Sequence, residues 1–323
     1  MSEGSIPEGN MPEAASGSIS GHPPEERRTL LGGMHPVLFA FLSLVAVFFL
    51  YQIVAGGIVL IIAGGKVTED NVALMRWTTL IGQLLFILVP TLLLVRLRVN
   101  RVREFLRLHI PDVRDLVAAV VAVFALQQML VGYMALQDLI PLPDQLQRFL
   151  DTIKKLFEES YRLLLVAHSP WELAGVIVVV ALTPALSEEL LFRGLVQRSL
   201  EHVAGPWRGA ILTGLIFGCY HLLPTSVVPL SVLGIFFGFL VFRTGNITVA
   251  MVAHFVNNLI ACVAVYLQVD EDFVALVPSG NASTISMIGN FALFAVVFLA
   301  ATLYLVHRTR PPDSHPEQSS QIL

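Results

Sequence analysis

The chain has 323 residues, 55% of them hydrophobic and 14% charged, with a formal net charge of -4 and a mean hydropathy of +0.74. That balance excludes an ordinary soluble protein, and the small negative charge gives no case for nucleic acid as a partner. Only helices and closed barrels satisfy their own backbone in lipid. Alternating strand patterns are absent, so the expected fold is all-α: a polytopic membrane protein with about eight transmembrane helices.

Residues 1–34 are rich in Gly, Pro, Ser and Glu and poor in large apolar side chains, which predicts a disordered cytoplasmic tail. The first apolar run begins only near Val37, later than the core of a cleavable signal peptide, so the first span is expected to be kept as an anchor. At roughly 20 residues per span, apolar stretches fall near 37–63, 74–95, 114–136, 171–192, 208–223, 227–243, 247–267 and 285–306. The fifth and sixth are short, and read as spanning, broken or re-entrant helices. An integral membrane domain over 35–310 is followed by a short cytoplasmic tail, 311–323. Between the third and fourth spans, residues 144–166 mix Asp144, Arg148, Lys154 and Glu158 with Leu146, Phe149, Leu156 and Phe157, the pattern of an amphipathic helix on the membrane surface.

Basic residues set the orientation. Arg96, Arg98, Arg101, Arg103, Arg107 and Arg114 follow the second span, Arg193, Arg198 and Arg208 follow the fourth, and Arg243 follows the sixth. With Arg27, Arg28, Arg308 and Arg310 they place both termini in the cytoplasm, in what reads as the plasma membrane of a prokaryote. The opposite loops, near 64–73 and 268–284, hold only Lys66. Trp77, Trp171 and Trp207 fall at span ends, as an aromatic belt requires. Cys219 and Cys262 lie in apolar runs without zinc-binding spacing and are read as small core residues.

Chemistry concentrates in the fourth to seventh helices, over 171–265. Ser187-Glu188-Glu189-Leu190-Leu191-Phe192-Arg193 puts costly charges at the end of an apolar run. Adjacent residues on a helix point about 100° apart, whereas Glu189 and Arg193 are four apart and share a face. Glu189 and Arg193 therefore read as a supporting ion pair and Glu188 as the carboxylate free for chemistry. Gly205-Pro206 marks a hairpin turn, and Glu188 and His221 lie at nearly equal separations on either side of it, so they should sit at one level. The Arg-bearing turn end suggests that Glu188 lies below the surface on the inner half. His254 and Asn258, four apart, share one face of the seventh span, with Asn257 pointing elsewhere. Such groups can simply tie helices together. Taken jointly they would supply a base, a water-positioning imidazole and two donors, the set that amide hydrolysis requires.

Glu188-Glu189-x-x-x-Arg193, Phe217-x-x-x-His221 and His254-x-x-x-Asn258, with the turn Phe242-Arg243-Thr244-Gly245-Asn246, resemble the motifs of the CAAX prenyl protease and bacteriocin-processing (CPBP, or Abi) family of intramembrane endopeptidases. The resemblance implies hydrolysis of a peptide bond in a membrane-anchored or prenylated protein or peptide, at a site open toward the cytoplasm. Glu188 with His221 would activate water, His254 and Asn258 would stabilise the oxyanion, and Glu189 and Arg193 would support the first motif. Members are often described as metalloproteases, and Glu188, His221 and His254 are the set that would hold zinc. A metal-free site is favoured, because the histidines lie on separate helices and no His-Glu-x-x-His run is present. The alternative is a non-enzymatic membrane scaffold or bacteriocin self-immunity protein.

Overall fold

A computed structural model describes residues 29–62, 64, 68–268 and 284–310. The described residues are all-α with no strand, and the chain is a polytopic membrane protein. Its helices are α1 (Pro36–Ile62), α2 (Val72–Arg98), α3 (Val113–Gln137), α4 (Asp144–Leu165), α5 (Pro170–Ala204), α6 (Pro206–Tyr220), α7 (Val227–Thr244), α8 (Ile247–Tyr266) and α9 (Thr284–Arg308). Seven are long and apolar enough to cross a membrane. The exception among the expected eight is α6. Its 15 residues rise only about 22 Å, short of a hydrocarbon core of about 30 Å, and this shortfall makes room for the site.

The motif-bearing α5 is the centre of the bundle. It is 67% buried, against 11% for α1 and 11% for the apolar window of α9. Its neighbours approach closely because small residues face each other. A Cβ on Gly214 would lie 2.7 Å from Ile235 Cα, and one on Gly218 would lie 2.5 Å from the Val227 carbonyl. Gly234 and Gly238 of α7 likewise bring their carbonyls within reach of α5. Arg193 donates to Gly234 O at 2.9 Å and Gln197 to Gly238 O at 3.1 Å.

Arginine-bearing segments converge at one end of the bundle. Arg107 pairs with Glu201 at 2.7 Å, Arg308 pairs with Asp115 at 2.8 Å and also with Asp112, and Arg98 donates to Leu31 O and Met34 O. Residues 29–34, grouped with the tail by composition, are thus bonded to the end of α2; the rest of the 1–34 tail, Lys66, most of the 268–284 loop and the 311–323 tail lie outside the described residues. Turns at this end use Gly205 (φ 83°) between α5 and α6, and Gly245 (φ 62°) between α7 and α8. Asn246 then caps α8, accepting from Thr248 N at 3.0 Å, which accounts for the Thr244-Gly245-Asn246 signal.

At the opposite end lies α4, whose exposed Leu146, Phe149, Leu156 and Phe157 fit the amphipathic expectation. It is nonetheless more than a surface helix. Arg76 of α2 donates to Leu164 O at 3.0 Å and to Leu163 O and Val166 O, capping carbonyls that the end of α4 leaves free. The same guanidinium pairs with Glu172 at 2.6 Å. Cys262 is buried as expected, but Cys219 is exposed, because the opposite face of α6 carries the glycines that pack on α7.

Candidate active site

A cavity of about 590 Å³ occupies the space beyond the short α6. Every residue singled out at the heart of the motifs, namely Glu188, His221, His254 and Asn258, lines it. Glu189 and Arg193 do not. Side-chain exposure separates the two adjacent glutamates: 18% for Glu188 and 0% for Glu189. Helical geometry therefore divides the acidic pair as expected, with Glu188 facing the cavity and Glu189 facing protein.

Glu188 sits near the midpoint of the 35-residue α5, where the helix carries π-helical turns at Ile177–Leu182 and Leu190–Gln197. Such turns recur at functional sites because they rotate the following side chains. His221 follows α6 immediately, and Leu222 takes a left-handed conformation (φ 54°) that costs a non-glycine residue about 1–2 kcal/mol. The levels match: His221 Nε2 and Glu188 Oε2 are 4.0 Å apart. His221 Nδ1 lies 2.8 Å from Phe217 O. A carbonyl only accepts, so Nδ1 carries the hydrogen and Nε2 of the neutral ring presents a lone pair. A water about 2.8 Å from both atoms would subtend about 90°, close to its own H–O–H angle.

His254 is positioned by the supporting pair. Its Nδ1 lies 2.8 Å from Glu189 Oε1, the oxygen that also accepts from Arg193 Nη1 at 3.0 Å. An ionised carboxylate only accepts, so Nδ1 is the donor and Nε2 is left for the cavity. Phe237 stacks on the ring, with centroids 5.1 Å apart. Arg193 is wrapped in aromatic rings, 4.6 Å from the centroid of Phe217 and 5.4 Å from that of Phe237. Thus Glu189 does two jobs, neutralising Arg193 and orienting His254; pairwise spacing revealed only the first.

The asparagines depart from expectation. Asn257 does not point away; it lines the cavity with Asn258 and donates to Asn258 Oδ1 at 3.1 Å. The cavity is wide enough to be faced by neighbours 100° apart. Asn258 Nδ2 donates to Val180 O at 3.2 Å, the carbonyl that Pro184, having no N–H, leaves without its α-helical partner. One amide hydrogen of Asn258 remains for the cavity.

Sequence reading missed the far walls. Tyr51 and Gln83 come from α1 and α2, and Lys154, Phe157, Glu158 and Tyr161 from α4. Gln83 is buried, and its Oε1 has no partner; a polar residue inside an apolar span was the available signal. At the rim, Lys154 donates to Asp138 at 2.7 Å, and that hydrogen bond raises the ammonium above its ordinary pKa. The cavity therefore runs from mid-bundle to the α4 end, away from the arginine-bearing segments. Glu188 sits near mid-length of α5.

Among the described residues no three His, Cys, Asp or Glu side chains group as a metal site. Glu188, His221 and His254 share the cavity without converging on one point, so the set named for zinc does not fit a preformed site.

Residues 170–260 match the model of a family described as type II CAAX prenyl endopeptidase Rce1-like. No curated protein matches the chain, and no solved structure does. The matched segment begins at the first residue of α5 and ends within α8, so it holds all three motifs. It leaves out α1 to α4, and with them the far walls of the cavity.

Proposed function

We propose that the protein is an intramembrane endopeptidase that hydrolyses a peptide bond of a membrane-associated or lipidated polypeptide. The observation that carries this reading is the pairing of Glu188 with His221 at 4.0 Å on a cavity floor. Two acceptors with no donor between them call for a water that donates to both. Its oxygen lone pairs then face the cavity and the substrate carbonyl.

In the proposed reaction the water oxygen attacks the carbonyl carbon and Glu188 takes the released proton, with His221 as the second acceptor that fixes the water. The oxyanion is stabilised by the free hydrogen of Asn258 and by His254, whose ring Glu189 holds through Nδ1. The C–N bond then breaks, and the proton on Glu188 passes to the leaving amine. No step is routed through zinc, because the candidate ligands do not converge; metal analysis and chelation of the purified protein check this. The family-model match supports the peptidase class.

The test uses the full chain in liposomes with membrane-tethered peptides, a farnesylated CAAX peptide among them. Glu188→Gln and His221→Ala should each lower cleavage by about 10²- to 10⁴-fold, the usual worth of a general base, with unchanged thermal unfolding. Cleavage that survives both substitutions overturns the proposal. A scaffold or self-immunity role is the second reading. It draws on Asn258, whose hydrogen bond to Val180 O ties α8 to α5, and it predicts lost stability with no peptide cut.

A further inference from the structure

We infer that Asn257 is a positioning residue of the candidate site: its side-chain amide fixes the orientation of the Asn258 amide, and so aims the hydrogen that Asn258 offers to the oxyanion. This rests on the endopeptidase reading for the word oxyanion, but not for the orientation itself.

The orientation follows from a group that can act in one way only. The Val180 carbonyl accepts and never donates, so the Asn258 atom 3.2 Å from it is Nδ2. Oδ1 of Asn258 is then turned toward Asn257, and the Asn257 atom 3.1 Å from that oxygen must be a donor, Nδ2. Reversing the Asn258 amide would set its oxygen against the Val180 carbonyl. Reversing the Asn257 amide would set two side-chain oxygens against each other. Bonded at both ends, the Asn258 amide cannot turn about its last side-chain bond. One hydrogen of Nδ2 serves Val180, and the other is held in a fixed direction. A donor fixed before charge develops needs no reorganisation during the reaction.

Three features set Asn257 apart from an ordinary polar residue of a membrane helix. Its bond joins neighbours on α8, so it ties no helices together, which is the common use of an asparagine in a span. Consecutive side chains leave a helix about 100° apart and do not normally meet; these two meet where both line the cavity. Finally, Asn257 Oδ1 is buried without a partner, a cost that an apolar residue would avoid. Donation to Asn258 is the bond for which the amide is retained. The motif His254-x-x-x-Asn258 leaves position 257 open, so spacing did not single it out.

The test uses full-length protein in liposomes with a membrane-tethered peptide. Asn257→Ala removes the donor. Asn257→Asp keeps the shape but, once ionised, only accepts, which draws Asn258 Nδ2 away from Val180. Asn257→Asp should lower kcat by about 10²- to 10³-fold, the worth of one oxyanion donor, and Asn257→Ala by less, with KM unchanged in both. Added to Asn258→Ala, Asn257→Ala should lower kcat no further, because a residue that acts through another then has nothing left to position. Parental kcat in Asn257→Ala, or losses that multiply in the double variant, overturns the proposal. A readout independent of cleavage is side-chain amide exchange, followed by NMR in protein with isotope-labelled asparagine; the Asn258 signals are those absent from Asn258→Ala. They should exchange slowly in the parent and faster in Asn257→Ala, and equal rates overturn the proposal. If exchange changes as expected while the parent cuts no tethered peptide, the orientation stands and the endopeptidase reading fails.

Discussion

His254 Nδ1 and Glu189 Oε1 meet at 2.8 Å across α8 and α5, and Arg193 reaches the same oxygen at 3.0 Å. The three residues come from two of the motifs, so the motifs are one hydrogen-bonded unit. Glu189→Gln should leave the Arg193 charge buried without a counterion, at a cost of about 3–5 kcal/mol, read by thermal unfolding in detergent. The double variant Glu189→Leu/Arg193→Leu should recover much of that loss, since an apolar pair replaces a buried ion pair without penalty. Peptide cleavage should stay low in both, because His254 has lost its anchor. Restored cleavage in the double variant would remove Glu189 from the site.

The positions of seven of the spans, the different facing of Glu188 and Glu189 and the shared level of Glu188 and His221 were legible in the sequence. Each follows from helical rise and rotation applied within one hairpin, where a single turn fixes the register. What the sequence concealed depends on approach between distant segments. Tyr51 and Gln83 reach the cavity because α1 and α2 pack where α6 stops short, and Arg76 finds the end of α4 nearly ninety positions later in the chain. Rotation within α8 turned Asn257 away from the His254 face, yet Asn257 lines the same cavity, because no rule of periodicity states how wide a cavity is. Cys219 misled for the reverse reason: an apolar run in a membrane helix has a lipid-facing side as well as a core side.

Gly218 sets the position of His221, one turn further on. A Cβ there would lie 2.5 Å from the Val227 carbonyl and 2.7 Å from Ser231 N, backbone atoms that cannot turn aside. Gly218→Ala should therefore push α6 off α7, cost about 1–3 kcal/mol as overpacking does and sharply reduce cleavage. Gly175→Ala is the control. Nothing lies within 4 Å of its Cβ position, and alanine favours a helix over glycine by up to about 1 kcal/mol. Equal effects of the two substitutions would contradict the packing account.

Arg76 holds α4 in place as a wall of the cavity. Arg76→Met keeps the length of the side chain but leaves the carbonyls of Leu164 and Val166 without a donor and Glu172 without its cation. Hydrogen bonds to a charged group contribute about 1.5–3 kcal/mol. The loss should fall on α4 rather than on the bundle, so amide exchange over 144–165 should accelerate while α5 and α6 keep their protection. KM for a tethered peptide should rise more than kcat falls. Uniform acceleration across all helices would mean that Arg76 stabilises the fold as a whole.

Asn258 is where the structural and catalytic readings can be pulled apart. Its amide serves the Val180 carbonyl at 3.2 Å, which lacks an α-helical partner because residue 184 is proline. If that bond is all Asn258 provides, Asn258→Ala should cost about 1 kcal/mol for a lost hydrogen bond at a half-buried carbonyl, with activity falling only as stability does. Pro184→Ala supplies the missing N–H, so adding it to Asn258→Ala should restore most of the stability under either reading. Activity then decides. With an oxyanion role the double variant stays about 10²- to 10³-fold below the parent, the typical worth of one such donor; with a purely structural role it returns to the level of Pro184→Ala alone. Pro184 also lines the cavity, so that single variant must be measured beside the double one. Cleavage by the double variant matching Pro184→Ala would take Asn258 out of the chemistry while leaving Glu188 and His221 in place.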